Sequence, residues 1–190
     1  MSDGKGKLII FSAPSGSGKT TLVKHLMQHV GNLSFSISAT SRKKRGSEIN
    51  GKDYYFLTAN EFRQKIGNEE FVEWEEVYDD KYYGTLKSEV ERIINTGQNV
   101  VFDVDVVGGV NIKRLYGNNA LAIFVMPPSV EILEKRLQGR GTDNESDIKS
   151  RIDKAEYELT FADKFDKVII NDNLKQAQIE TIDVIEKFID

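Results

Sequence analysis

The chain has 190 residues, no cysteine, a formal net charge of -4 and an isoelectric point of about 5.4. That length suits one domain with a buried core and a small insertion rather than two full domains. The absence of thiols excludes disulfide staples, thiolate metal sites and cysteine nucleophiles, and the net acidity excludes a global positive field for holding nucleic acid, so any polyanion must be met locally. No run of about 18 apolar residues appears, and Met1 to Lys7 lacks the apolar centre of a secretory signal, so the expected address is the cytoplasm, away from membranes.

In chain order, Leu8 to Ser12 is an apolar run that predicts a buried strand, and Thr20 to Val30 follows as a helix. His25 and His29 lie one turn apart on that helix without a third ligand nearby, and read as a solvated face. Leu33 to Ser38 predicts a second strand. The rhythm then breaks, because Ser41 to Lys81 is polar and rich in tyrosine and charge, with short strand-like pieces at Tyr54 to Leu57 and Phe71 to Val77. Between these, Thr58 and Glu61 form a capping box that opens a short helix. A helix over Lys87 to Thr96 stops at Gly97, a strand covers Val100 to Val104, and a helix over Val110 to Tyr116 stops at Gly117. Next come a strand at Leu121 to Val125, the turn Pro127-Pro128 with Ser129 as N-cap, and a helix over Val130 to Gly139. Gly139 to Asn144 reads as a hinge loop with Arg140 at its tip, before helix Glu145 to Phe161, strand Val168 to Ile170 and helix Leu174 to Ile189.

Alternating strands and helices of this kind predict an α/β fold, a parallel sheet with helices on both faces. Residues 1–40, 86–138 and 160–190 are expected to form the core, residues 41–85 a small mixed α+β insertion able to swing, and residues 139–159 the hinge loop and helix that the resemblance described below implies to be a helical lid.

Ala13-Pro14-Ser15-Gly16-Ser17-Gly18-Lys19-Thr20, followed by Thr21, stands between the first strand and the first helix, which is the context of a P-loop. The glycines allow backbone N–H groups to curl around a phosphate, and the helix points its positive end at it. Lys19 is placed to reach the β and γ phosphates of ATP, and the Thr20 hydroxyl suits Mg²⁺. Ala13 occupies a position where the strict pattern has glycine, a substitution that matters only if φ there is positive. A P-loop specifies a nucleotide but not a reaction, since switch proteins, transport ATPases and small-molecule kinases all carry one.

The stretch Ser38-Ala39-Thr40-Ser41-Arg42-Lys43-Lys44-Arg45 with Asn50-Gly51-Lys52-Asp53-Tyr54-Tyr55-Phe56 resembles the GMP-binding signature of guanylate kinases. The resemblance continues through Phe71-Val72-Glu73-Trp74, Tyr82-Tyr83-Gly84-Thr85, Asp103-Val104-Asp105, Pro127-Pro128-Ser129, Arg140-Gly141-Thr142 and Val168 to Leu174, from Leu8 nearly to the C-terminus. It implies a P-loop NTPase-like fold with a GMP-binding insertion and a lid, and a phosphotransferase converting ATP and GMP to ADP and GDP. It further implies that Ser38, Thr85 and Asp105 contact guanine and that Arg42, Arg45, Tyr54 and Tyr83 hold the GMP phosphate. Glu73 has a chemical argument of its own: guanine presents N1–H and the 2-amino group side by side to one carboxylate, whereas adenine offers that carboxylate a lone pair. Sites built on such bonds reject analogues lacking the donors by roughly 10⁴ to 10⁵.

Transfer itself needs in-line positioning and cations rather than a general base. Lys19 and Mg²⁺ are expected to neutralise the donor phosphates, Arg42 to bridge donor and acceptor, and the lid arginines Arg140 and Arg151 to close over the γ phosphate. Arg136 reads either as a further lid cation or as a helix-surface charge, and Asp103 either as orienting Mg²⁺ through water or as anchoring the loop. Asn171 resembles the family's adenine contact.

Other readings stand beside these. Arg42 to Arg45 also fits a solvated basic turn or a nucleic-acid patch, and Tyr54 fits core packing. Departures from the family pattern are Ser41 for threonine, Gly46-Ser47-Glu48, the Asp79-Asp80-Lys81 turn, which leaves Tyr82 and Tyr83 to be distinguished, and Val107 before Gly108. Alternative functions are an inactive guanylate-kinase-like scaffold that binds partner peptides and a nucleoside monophosphate kinase with another acceptor. A GTP switch lacks its Asn-Lys-x-Asp motif here. Oligomeric state is not legible.

Overall fold

Every residue of β1 (Leu8–Ser12) is buried, which a strand achieves only with both of its faces covered. The computed structural model describes residues 6–139 and 145–190. The chain divides into two compact units, one of Leu8–Gly31 with Phe102–Asp190, the other of Asn32–Val101 with residues 6–7.

In the first of these units β1 pairs in parallel with β8 (Ala120–Met126), and β8 with β9 (Lys167–Ile170), with Ile10 opposite Ala122 and Phe124 opposite Val168. The end of β7 (Asn99–Asp103) follows β1, and the next N–H, of Val104, donates to Phe11 O at 3.1 Å. Helix α1 (Lys19–His29) packs on β1, α4 (Val106–Tyr116) on β1 and β8, and α7 (Leu174–Ile189) on α1 and β9. The helices α5 (Val130–Gln138) and α6 (Glu145–Leu159) share an apolar seam of Leu133, Leu137 and Ala155, flanked by Ile148 and Ile152. As the sequence predicts, Ser129 caps α5 through Ile132 N–H, at 3.3 Å.

Helix α4 starts earlier than Val110. Asp105 caps it, accepting the N–H groups of Val107 at 2.7 Å and Gly108 at 2.9 Å, so the Gly108-Gly109 pair lies inside the first turns. Gly109 serves close approach there rather than breaking the helix. A Cβ at this position would come within 2.5 Å of Ser12 Oγ and 3.2 Å of the Phe165 ring.

In the other unit β2 (Leu33–Phe35) runs parallel to the beginning of β7, Leu33 opposite Asn99 and Phe35 opposite Val101. It ends three residues before the predicted Ser38. Beyond Ser36, whose N–H still donates to Val101 O, the Ile37 N–H turns to the Glu89 carboxylate at 3.2 Å, and Ala39–Thr40 enters a different sheet as β3. That sheet has the order β4-β3-β6-β5, with β4 (Tyr55–Phe56) parallel to β3 and the hairpin β5 (Phe71–Tyr78) and β6 (Lys81–Leu86) antiparallel. The sheet packs with α2 (Ala59–Gly67), which the Thr58–Glu61 capping box opens as expected. Helix α3 (Lys87–Ile94) follows β6 directly. Phe62 of α2 is fully buried, stacked 4.3 Å from the Phe71 ring and 5.2 Å from Tyr82. Among the described residues no helix is long and apolar enough to cross a membrane.

Phe62→Ala should destabilise this unit by about 3–5 kcal/mol, the usual cost of removing a buried phenyl ring. Chemical denaturation followed by the fluorescence of Trp74 on β5 checks it.

Candidate nucleotide-binding sites

The loop from Ala13 to Gly18 leaves the C-terminal end of β1 and closes as a tight turn, Ser17 N–H donating to Pro14 O at 3.1 Å. Gly16 and Gly18 have φ of 97° and 93°, so the left-handed conformations this loop requires fall on glycines. Positive φ outside glycine is confined, among the described residues, to Asn32, Glu69 and Asp80, so Ala13 meets no backbone strain. Gly18 has a second reason to lack a side chain, because a Cβ would run into the Asn171 amide. That amide is buried and donates to Ser17 O at 2.7 Å, and Arg136 in turn donates to Asn171 O at 2.8 Å. Arg136 is therefore tied to the end of β9 rather than being a plain surface charge.

Lys19 begins α1. Its ammonium lies 2.5 Å from Asp103 Oδ1 and donates to Val104 O at 3.1 Å. Asp103 thus anchors the loop lysine, while the Thr20 and Thr21 side chains on the first turn of α1 are exposed. From α6, Arg151 reaches back to the loop and donates to Ser15 Oγ at 3.1 Å. Arg140 lies outside the described residues. His25 and His29 stack 3.9 Å apart, with His29 Nδ1 hydrogen-bonded to His25 O at 2.8 Å.

In the unit that holds the mixed sheet, Glu73 and Thr85 face each other across β5 and β6, and the Thr85 hydroxyl donates to Glu73 Oε1 at 2.7 Å. Glu73 is 8% exposed, a carboxylate held out of bulk water with its orientation set by a cross-strand neighbour. Ser38 sits on the connection into β3, where its carbonyl accepts the Tyr55 N–H at 2.9 Å. Arg42, Tyr54 and Tyr83 come together: Arg42 Nε donates to the Tyr83 hydroxyl at 3.1 Å, its Cζ lies 4.8 Å over the Tyr54 ring, and the two tyrosine rings meet edge-on at 6.1 Å. Tyr82 points the other way, into the Phe62 cluster, so of the two neighbours it is Tyr83 that lies beside Arg42 and Tyr54. Arg42 and Arg45 also line an open cleft of about 520 Å³ between the Ser41 to Arg45 turn and the Val77 to Lys81 end of the hairpin. Ser41 closes the far side of that hairpin, donating to Asp80 O at 2.7 Å and accepting the Tyr82 N–H at 2.8 Å. Asp105 is engaged as the cap of α4 in the other unit.

Matching against protein families aligns residues 5–188 with the guanylate kinase model. The chain belongs to the guanylate kinase family. It is 61% identical to the guanylate kinase of Bacteroides thetaiotaomicron, over 97% of this chain and 90% of that one. It is 57% identical to the guanylate kinase of Porphyromonas gingivalis, over 96% and 98%. Its fold matches the crystal structure of guanylate kinase from Anaplasma phagocytophilum with a TM-score of 0.75 at 26% identity, covering 97% of this chain and 87% of the other.

Two groups escaped the sequence analysis of this guanylate kinase family member. Glu48 grips Arg42 by both oxygens, at 2.6 and 2.7 Å, and accepts the Arg45 N–H at 2.8 Å. Those bonds from Arg42, then from Arg45, hold the Glu48 carboxyl down at about 2, and the same pairing raises the Arg42 guanidinium further still. The second is Glu89 on α3, nearly fully buried, which receives Arg92, the Tyr55 hydroxyl at 2.9 Å and the Ile37 N–H. Burial pushes this carboxyl up, but Arg92, Ile37 and Tyr55 together bring it below its ordinary value; burial, with Glu89 alongside, pushes the Tyr55 hydroxyl up. The only sequence signals were an acidic residue six positions after Arg42 and an i, i+3 charge pair on a helix.

A carboxyl depressed on folding adds stability above its ordinary value, here 4.5, and loses it as pH falls through the folded value of about 2. A carboxyl-detected NMR titration should therefore place the Glu48 midpoint near 2, with the Arg42 pair intact at pH 4; a midpoint at 4.5 would show that the pair does not form in solution.

Proposed function

We propose that the chain transfers the γ-phosphoryl group of ATP to GMP, releasing ADP and GDP. The observation that carries this reading is the buried Glu73 carboxylate, steadied by Thr85 beside it. A guanine edge supplies the donor pair that such a carboxylate needs, and adenine, cytosine and uracil do not. Ser38 and Thr85 complete the guanine contacts, with Asp105 as a further carboxylate. Arg42, Arg45, Tyr54 and Tyr83 take the GMP phosphate, the arginines through forked charge-assisted bonds and the tyrosines through their hydroxyls.

On the donor side, Ala13 to Thr21 cradle the ATP phosphates with backbone N–H groups at the start of α1, and Lys19 exchanges part of its contact with Asp103 and Val104 O for the β and γ oxygens. The Thr20 hydroxyl and the Asp103 carboxylate are hard oxygen donors of the kind Mg²⁺ takes, and these two side chains would hold it, Asp103 through water. Bound with ATP, the ion neutralises phosphate charge. Arg151, already at the Ser15 hydroxyl, and Arg140 stabilise the charge on the transferring group, while Arg42 bridges it to the acceptor. Arg136 and Asn171 support the loop from beneath, and Asn171 contacts the adenine. Residues 41–85 serve as the GMP-binding insertion and residues 139–159 as the lid. The enzyme acts in the cytoplasm, in purine nucleotide metabolism, on small molecules rather than on nucleic acid or membranes.

ADP release from Mg·ATP against GMP, AMP, CMP and UMP tests the reading, and GMP alone should turn over; comparable rates with AMP would refute it. Glu73→Gln, which sets an amide N–H₂ against the guanine donors, should lower kcat/KM for GMP by roughly 100-fold or more. Lys19→Ala should lower kcat by roughly 10³-fold, the rate equivalent of about 4 kcal/mol between two charges about 4 Å apart at an effective dielectric of about 20.

A further inference from the structure

A guanidinium has five N–H donors in a rigid plane, two pointing off its end and two off the edge that Nε shares with one Nη. In Arg42 the end is filled: Nη1 donates to Glu48 Oε2 at 2.7 Å and Nη2 to Glu48 Oε1 at 2.6 Å. The remaining Nη1 donor goes to Lys43 O at 3.1 Å, and Nε to the Tyr83 hydroxyl at 3.1 Å. What is left, among the described residues, is the second Nη2 donor, on the same edge as Nε. Tyr83, having accepted from Nε, has its own O–H proton to donate on that edge. The guanidinium plane is further fixed by the Tyr54 ring at 4.8 Å, and the Arg42 side chain is only 9% exposed.

Glu48 makes this arrangement from the other end of a short turn. Its carboxylate accepts the Arg45 N–H and its own N–H donates to Arg45 O at 3.1 Å, with Gly46 at a φ of 49° allowing the chain to double back. One carboxylate thus fixes the guanidinium of Arg42 and the backbone of Arg45 together. Building on the proposed function, we infer that Glu48 is a positioning residue for the acceptor phosphate: by clamping the end of Arg42 it leaves the second Nη2 donor and the neighbouring Tyr83 O–H, which Nε orients, to meet the phosphate of GMP together. It does not touch the substrate. Glu48 also cancels the Arg42 charge, so a carboxylate that merely occupied the phosphate's place would have the opposite effect, and removing it would improve GMP binding.

The test uses Glu48→Gln and Glu48→Asp in the full chain. Positioning predicts that Glu48→Gln raises the KM for GMP about 10- to 100-fold, the range expected for spoiling a charge-assisted bond, and leaves the KM for ATP within about twofold. Glu48→Asp, which keeps the charge, should fall between the two. An unchanged or lowered KM for GMP in Glu48→Gln overturns the inference, as does an equal rise in both KM values. Nitrogen NMR of the wild-type arginine side chains gives a readout that needs no variant to fold. Rotation about the Arg42 Nε–Cζ bond should be hindered before GMP is added and remain so at saturation; release of that rotation by GMP would mean that Glu48 yields the fork, and would overturn the inference. Failure of the parent reading looks different, because wild-type protein would then bind and phosphorylate no GMP while the Arg42 rotation in the free protein stayed hindered.

Discussion

Positive charge that is largely withdrawn from water has to be held by a partner, and in each unit a carboxylate does this. Lys19 rests on Asp103 at 2.5 Å and Arg42 on Glu48 at 2.6 Å. Both cations are largely withdrawn from water, at 17% and 9% exposed, where an unpaired charge would be costly and a long side chain free to turn would lose its geometry. A paired cation is already desolvated and already oriented, and under the proposed function the cost of ordering it is met by folding rather than by binding. The two pairs differ in what they leave open. The Lys19 ammonium is a point charge that can shift its contacts, whereas the Arg42 fork is clamped at its end by Glu48 and keeps one Nη2 donor beside the Tyr83 hydroxyl.

The backbone near these pairs is tied by buried polar groups. The Asn171 amide holds Ser17 O under the phosphate loop, and Ser12 Oγ donates to Asp105 O at 2.9 Å where α4 begins. In the mixed sheet, Thr40 Oγ1 donates to Tyr82 O at 2.9 Å, and the Glu89 cluster ties Ile37, just before Ser38, to β4 and α3. Each tie satisfies a group that would otherwise be a buried, unpaired donor or acceptor, so each is strongly maintained in the folded chain. The phosphate loop also sits where parallel sheets present their ligands, at the C-terminal end of β1.

Local chemistry made much of this legible in advance. The loop from Ala13 to Thr20 is readable because its glycines, lysine and threonine form one pattern and lie next to one another in the chain, between a strand and a helix. The Thr58–Glu61 box and the Ser129 cap are readable for the same reason: the atoms that bond are separated by three residues and have few alternatives. The strands of the parallel sheet announce themselves as unbroken apolar runs because both of their faces are buried. Glu48 and Glu89 were invisible because an acidic side chain in a polar stretch looks solvated until the fold brings a guanidinium to it. The end of β2 was missed because Ser36, Ile37 and Ser38 continue the strand pattern, and only the pull of Glu89, 52 positions away from Ile37, shows why the chain turns there.

By itself the sequence determined the class of fold and the family, and it singled out the strand-loop-helix at Ala13 to Thr20 and the Tyr, Arg and Glu residues that the proposed function assigns to a guanine nucleotide, since these depend on residue type and near spacing. The tertiary structure alone decided which atom of each residue is committed to its neighbours and which remains available. That distinction rests on pairs such as Arg42 with Tyr83, Glu73 with Thr85 and Lys19 with Asp103, joined across strands and loops, where separation in the chain carries no information about distance in space.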